Sequence, residues 1–277
     1  MSVAETGLAN LSDLVRRADH DRFATAMFAD PAARGALLSL YGLNAELAQI
    51  RQQVRDPMAG MIRLQWWREV IEGGRVDEAR RHPVAGPLQA AIGRCQLQLT
   101  LFERLLDARE RDFDTVPFAT TADWLAYGRD TSGALAELAA QALGDDAPGA
   151  RAAGTAWALI GLLRSLPFHL AQGWLTLPQE RMAAFGLHPD KVLAASAEQG
   201  AIAATVLALL DEVDSQLLQA RHLGARRRAM AALLPAVMAK VYARQLRALA
   251  GNAFDQRSYR PRPMPLRLAW AALRGRI

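Results

Sequence analysis

The chain has 277 residues, 51% of them hydrophobic and 22% charged, a globular composition with enough apolar material to bury a substantial core. Its single cysteine, Cys95, excludes both a disulfide framework and a zinc cluster of cysteines. The net charge of +5 is carried by arginine, with only Lys191 and Lys240 as lysines; the densest run, Arg226-Arg227-Arg228, has no interleaved aromatics, so nucleic-acid binding is not expected.

Apolar residues recur at helical spacing almost throughout, and alternating β-branched runs are nearly absent. One helix is expected over 10–29, closed by Asp30-Pro31, and a second over 32–55, stopped by Asp56-Pro57. A third runs from Pro57 to Glu72 and ends at Gly73-Gly74. A fourth begins near Pro83 and continues to Phe113, with Gly93 as the candidate break. Thr121-Ala122-Asp123 caps the next, which reaches Leu143. Residues 148–172 form another, in which Pro167 predicts a kink or a changed hydrogen-bond pattern. The string LTLP at 175–178 leads to a short helix ending at Gly186, and helices over 189–221 and 226–250 complete the core.

With no Ser/Gly linker and no internal repeat, the expected fold class is all-α, in one helical domain. The expected organisation is an N-terminal segment over 1–18, the helical domain over 19–250 and a Pro/Arg-rich C-terminal segment over 251–277. That last segment mixes Leu266, Leu268, Trp270, Leu273 and Ile277 with Arg267, Arg274 and Arg276. It reads either as a short amphipathic helix folded onto its own core or as one lying at a membrane interface or partner. No secretory leader and no run of roughly 18 uncharged apolar residues is present, so a cytoplasmic protein, at most peripheral to the inner membrane, is expected.

Signatures of common chemistry are missing: no phosphate-cradling P-loop, no GxSxG elbow, no HExxH, and five histidines without ligand spacing. Glu103, Asp107, Glu110 and Asp114 fall on one helical arc, a geometry able to hold Mg²⁺ against a diphosphate. Interleaved Arg104, Arg109 and Arg111 give the plainer reading, ion pairing on a wet helix face.

Longer strings carry more. Arg34 followed by YGLNAELAQ at 41–49, RLQWWREVIEGG at 63–74, HPVAGPL at 82–88, FATTADWLAYGRDTSGALAELAAQALG at 118–144 and LIGLLRSLPFHLAQGWLTLP at 159–178 stand in the order that resembles the squalene/phytoene synthase superfamily. That resemblance implies an isoprenoid-synthase-like helical bundle around a central cavity. It also implies two aspartate-rich motifs on facing helices, whose carboxylates hold the Mg²⁺ ions that bind and ionise an allylic diphosphate.

In this chain the acidic positions of the first motif, counted from Tyr41, fall on Ala48, Gln49 and Gln52. Those of the second fall on Ser165 and His169 beside a retained Arg164. Methyl, amide, hydroxyl and imidazole groups do not supply the anionic oxygens that a hard divalent cation requires. A non-catalytic protein without cofactor is therefore expected, with Mg²⁺ relevant only to a synthase whose metal site has diverged. Arg34, Tyr41, Asn44, Tyr127 and Arg164 match positions lining or approaching the cavity in catalytic relatives. They are candidates for holding an anionic lipid or a diphosphate without reaction, or for a hydrogen-bonded framework. Trp66-Trp67 reads as core, and Gly128 and Gly133 as sites of close helix packing.

Finer strings, among them NAELAQIR, LLDARERDFD and PLRLAWAAL, resemble the mitochondrial complex I assembly factor branch of this superfamily and its α-proteobacterial relatives. What that implies is a bacterial assembly protein whose partners are respiratory complex I subunits or assembly intermediates.

Overall fold

The computed structural model describes residues 3–54, 56–224, 227–260 and 262–277, which leaves Arg226 of the arginine run outside the described residues. All the regular secondary structure among the described residues is helical. Helices α1 (Val3–Ala18), α2 (His20–Ala26), α3 (Pro31–Gln53) and α4 (Pro57–Ile71) lead to the short α5 (Val76–Arg81), then α6 (Ala85–Cys95) and α7 (Leu99–Glu110). After a 3₁₀ turn over Arg111–Phe113 come α8 (Thr121–Gly128), a π-helical turn over Arg129–Gly133, α9 (Ala134–Ala142) and α10 (Ala150–Arg164). Then follow α11 (Leu166–Ala171), α12 (Gln179–Ala184), α13 (Pro189–Leu193), α14 (Gln199–Leu223), α15 (Met230–Ala248), α16 (Gln256–Tyr259) and α17 (Pro265–Arg274).

Local chemistry explains the firmest boundaries. Asp30 and Asp56 each cap a helix by accepting from the amide two residues on, at 2.9 Å, and the following proline supplies a φ suited to the first turn. The same chemistry divides the helix expected over 10–29. Asp19 accepts the Arg22 amide at 2.9 Å, caps α2, and thereby ends α1.

Other expectations shift, among them the single helix over 189–221, which is divided into α13 and α14. The segment begun near Pro83 breaks at Gln96, which adopts a left-handed conformation with φ 49°, whereas Gly93 stays helical. The cap before α8 is Thr120, in a reciprocal capping box with Asp123. Near Pro167 the changed hydrogen-bond pattern, the second of the two expected outcomes, is what occurs: α10 ends at Arg164 and the chain restarts as α11.

Helix α10 runs through the middle, packed against α8, α9, α14, α15 and the π turn. One apolar cluster joins α1, α3–α7 and α9; a second joins α8, α10–α12, α14, α15 and α17, around fully buried Trp124 and Tyr242. Trp67 is buried in the first cluster, edge-on to Trp66 with ring centroids 4.9 Å apart. Where α10 meets the π turn the backbones nearly touch: a Cβ on Gly154 would lie 2.1 Å from the Ser132 carbonyl oxygen. Gly128 and Gly133 face α10 at less extreme distances, 2.9 Å from Leu159 and 3.0 Å from Thr155. Among the described residues no helix is long and apolar enough to cross a membrane.

Candidate functional site

A cavity of about 320 Å³ opens between α3, the end of α7, the π turn, α10 and α11. Ala48 and Gln52 contribute from α3; Ser165 and His169 come from the junction of α10 and α11. Asn44 and Tyr127 line it as well. Gln49 does not: on the next face of α3 it borders a separate surface depression with Glu46, Asp13 and Arg17.

The other sequence candidates also lie outside this wall. Arg34 reaches back to the Met27 and Ala29 carbonyls, both at 3.2 Å, and ties α3 to the turn before it. Tyr41 is buried, its ring 5.9 Å from the Arg22 guanidinium carbon, and burial pushes its phenol up to about 12. Arg164 turns away to stack on Tyr242, 3.4 Å from ring centroid to guanidinium carbon, and donates to the Ser258 carbonyl at 2.9 Å.

The carboxylate arc of α7 faces outward, which corrects its reading as a possible metal site. Asp107 and Glu110 both bind Arg68 of α4 at 2.6 Å, Asp114 pairs with Arg111 at 3.1 Å, and Glu103 is exposed. The reason is periodicity: Leu101, Phe102, Leu105 and Leu106 form the buried face of α7, so the acidic residues take the opposite one.

Sequence reasoning missed the groups that dominate the site. Arg109 continues the buried face of α7, and the 3₁₀ turn that follows swings Asp112 inward beside it. Arg109 donates to Asp112 at 3.1 Å, to the Tyr127 hydroxyl at 3.1 Å and to the Asn44 side-chain oxygen at 3.1 Å. Tyr127 in turn donates to Asp112 at 2.6 Å, and Arg51 bonds the Asp112 carbonyl. Spacing of three between Arg109 and Asp112, in phase with Phe102 and Leu105, was the available signal. Burial pushes the Asp112 carboxyl up against the opposing pull of Arg109, and it pushes the Tyr127 phenol up too.

Three arginines line the cavity: Arg22, Arg51 and Arg109. Arg22 is held by Asp19 at 2.8 Å and by the Ser132 hydroxyl at 2.8 Å. The surroundings thus hold three guanidinium charges against the two carboxylates Asp19 and Asp112, an excess of one positive charge. Trp157, Leu162, Phe168 and Trp174 add apolar wall. His169 is packed 4.6 Å from Trp174, its buried Nδ1 has no hydrogen-bond partner among the described residues, and burial with Arg51 and Arg109 nearby lowers it to about 4.

This donor set does not fit a Mg²⁺ cluster. The carboxylate in the lining, Asp112, is occupied by Arg109 and Tyr127, and the positions that the resemblance assigns to aspartate offer methyl, amide, hydroxyl and neutral imidazole. Among the described residues no group of three or more metal-binding side chains is assembled.

The fold is that of the all-α isoprenoid-synthase class. A squalene synthase from Alicyclobacillus acidocaldarius superposes with a TM-score of 0.74 at 20% identity, covering 89% of this chain and 95% of that one. A dehydrosqualene synthase crystallised with a ligand superposes with a TM-score of 0.79 at 14% identity over 98% of this chain and 95% of that one. The squalene/phytoene synthase family profile matches residues 15–267, and the chain belongs to that family.

Curated relatives narrow the likeness. NADH dehydrogenase (ubiquinone) complex I assembly factor 6 is 26% identical in Rattus norvegicus and 25% in Homo sapiens, each over 185 residues. Those matches cover 65% of this chain and 56% of each relative, so the matched segment spans little more than half of those proteins. The Drosophila melanogaster homolog is 23% identical over 98% of this chain and 85% of its own length.

Proposed function

We propose that the chain is a non-catalytic member of the squalene/phytoene synthase family that assists assembly of respiratory complex I from a position peripheral to the inner membrane. One observation carries the non-catalytic half: the lining residues Ala48, Gln52, Ser165 and His169 are neutral, and Asp112 is engaged by Arg109 and Tyr127. A prenyl diphosphate leaves only when its developing charge is matched by bound cations, and neutral ligands do not gather those cations. The assembly half rests on the relatives' names. Incubation with farnesyl diphosphate and Mg²⁺ is expected to yield no condensed product, and deletion of the gene is expected to lower complex I. Normal complex I levels in the deletion strain would refute the assembly role.

A second reading, a carrier of an anionic isoprenoid lipid, draws on the pairing of Arg22, Arg51 and Arg109 with the apolar wall of Trp157, Leu162 and Phe168. Native mass spectrometry of the purified chain tests it. A retained prenyl lipid favours this reading, and a bare protein counts against it.

A further inference from the structure

Helix α17 presents two faces. Leu268 and Ala271 are buried against α15, while Leu266, Trp270 and Leu273, at i, i+4 and i+7, point the opposite way with exposures of 84%, 57% and 65%. Three large apolar side chains on one turn-spaced stripe differ from single exposed apolar residues scattered over a surface. Arg267 and Arg274 flank the stripe at a spacing of seven, so they share one edge of it. The Arg274 guanidinium lies 4.0 Å from the Trp270 ring centroid, which combines a flat amphipathic indole with a cation at the same height on the helix.

Charge identifies the occupant. Between residues 256 and 277 there are six arginines and no Asp or Glu. No carboxylate among the described residues pairs with Arg267, Arg274 or Arg276, although Arg257 is taken by Asp255. Just beyond the helix, Ile277 borders a groove of about 410 Å³ that carries Arg221, Lys240 and Arg244 beside the Arg247–Asp214 ion pair. An apolar stripe edged by unpaired cations suits a surface that offers both acyl chains and negative headgroups. Arg227 donates to the Leu273 carbonyl at 3.4 Å and α15 supports the inner face, so the helix is held in place before it meets any partner.

We propose that α17 docks the protein on an anionic phospholipid bilayer, with Leu266, Trp270 and Leu273 entering the headgroup–acyl boundary and Arg267 and Arg274 contacting lipid phosphates. This deepens the peripheral location proposed above by naming the surface and the lipid chemistry.

Flotation of the full chain with vesicles tests it. The protein floats with phosphatidylcholine vesicles containing phosphatidylglycerol, stays behind with phosphatidylcholine alone, and is released by high salt. Replacing both Arg267→Gln and Arg274→Gln weakens binding about twenty-five-fold, at about fivefold per arginine near the surface. Trp270→Ala with Leu273→Ser abolishes it. Leu266→Ser, at the most exposed position of the three, removes part of the binding while leaving the circular dichroism and melting of the chain unchanged. Equal flotation with neutral vesicles, or unaltered binding by the arginine variants, would overturn the proposal. So would a concentration-dependent dimer, seen by sedimentation, that Trp270→Ala abolishes in a chain that never floats. A chain that ignores vesicles yet fractionates with cell membranes also overturns the lipid role of α17, and leaves a peripheral location through protein contacts intact.

Discussion

The Tyr127 hydroxyl donates to Asp112 at 2.6 Å, inside a cavity whose lining has no other carboxylate. With Arg109 on the second oxygen, the anion is occupied from within the protein. The consequence is structural: charge that would face a ligand instead locks α7 to α8.

Removing half of that pair is costly. Asp112→Asn leaves Arg109 buried without its counter-charge and is expected to destabilise the fold by about 3–5 kcal/mol in chemical denaturation. Arg109→Met combined with Asp112→Asn costs less than Asp112→Asn alone, because no lone buried charge remains. A loss in the double variant equal to the sum of the separate Asp112→Asn and Arg109→Met losses would show that the pair is not coupled.

His169 gives stability a defined pH dependence. Its folded value of about 4 lies below the ordinary 6.5, so between those values the unfolded chain binds a proton that the folded chain refuses. Its contribution is complete above pH 6.5 and is lost as pH falls towards 4, amounting to about 3 kcal/mol at full protonation. In His169→Gln that part of the acid-side slope disappears. An unchanged slope in denaturation curves across this range would place the titrating group elsewhere.

Packing at the π turn separates two glycines of α10. Gly154→Ala forces a methyl against the Ser132 carbonyl and is expected to cost about 1–3 kcal/mol or more. Gly161→Ala meets open space in the same helix and stabilises by up to about 1 kcal/mol. Thermal unfolding of the two variants distinguishes them by sign.

Tyr242 joins α15 to the N-terminal region by donating to Asp21 at 2.8 Å. Tyr242→Phe keeps the ring on which Arg164 stacks but leaves the Asp21 carboxylate, already raised by burial, without that donor. A loss of about 1–3 kcal/mol is expected. No loss would mean that water replaces the hydroxyl.

What the sequence made legible was local. Asp30-Pro31 and Asp56-Pro57 mark boundaries because a cap and its amide are two residues apart, and the helical period identifies the apolar faces. Gln96 adopts its left-handed turn without a glycine to announce it, and Asp19 divides a helix whose apolar spacing runs on uninterrupted. The cavity was legible through the family resemblance, at Asn44, Ala48, Gln52, Tyr127, Ser165 and His169. It was illegible where long-range partners decide: Arg164 is drawn to Tyr242 of α15, and Arg109 and Asp112 are turned inward by a three-residue change of helix type.

The most direct test is calorimetric titration of Mg²⁺ into the protein with a non-hydrolysable farnesyl diphosphate analogue. A wall without a free carboxylate predicts no saturable Mg²⁺-dependent heat beyond that of the analogue titrated alone, whether or not the arginines hold the anion by themselves. Stoichiometric binding of Mg²⁺ to the protein together with the analogue, in excess of binding to the analogue alone, would contradict it.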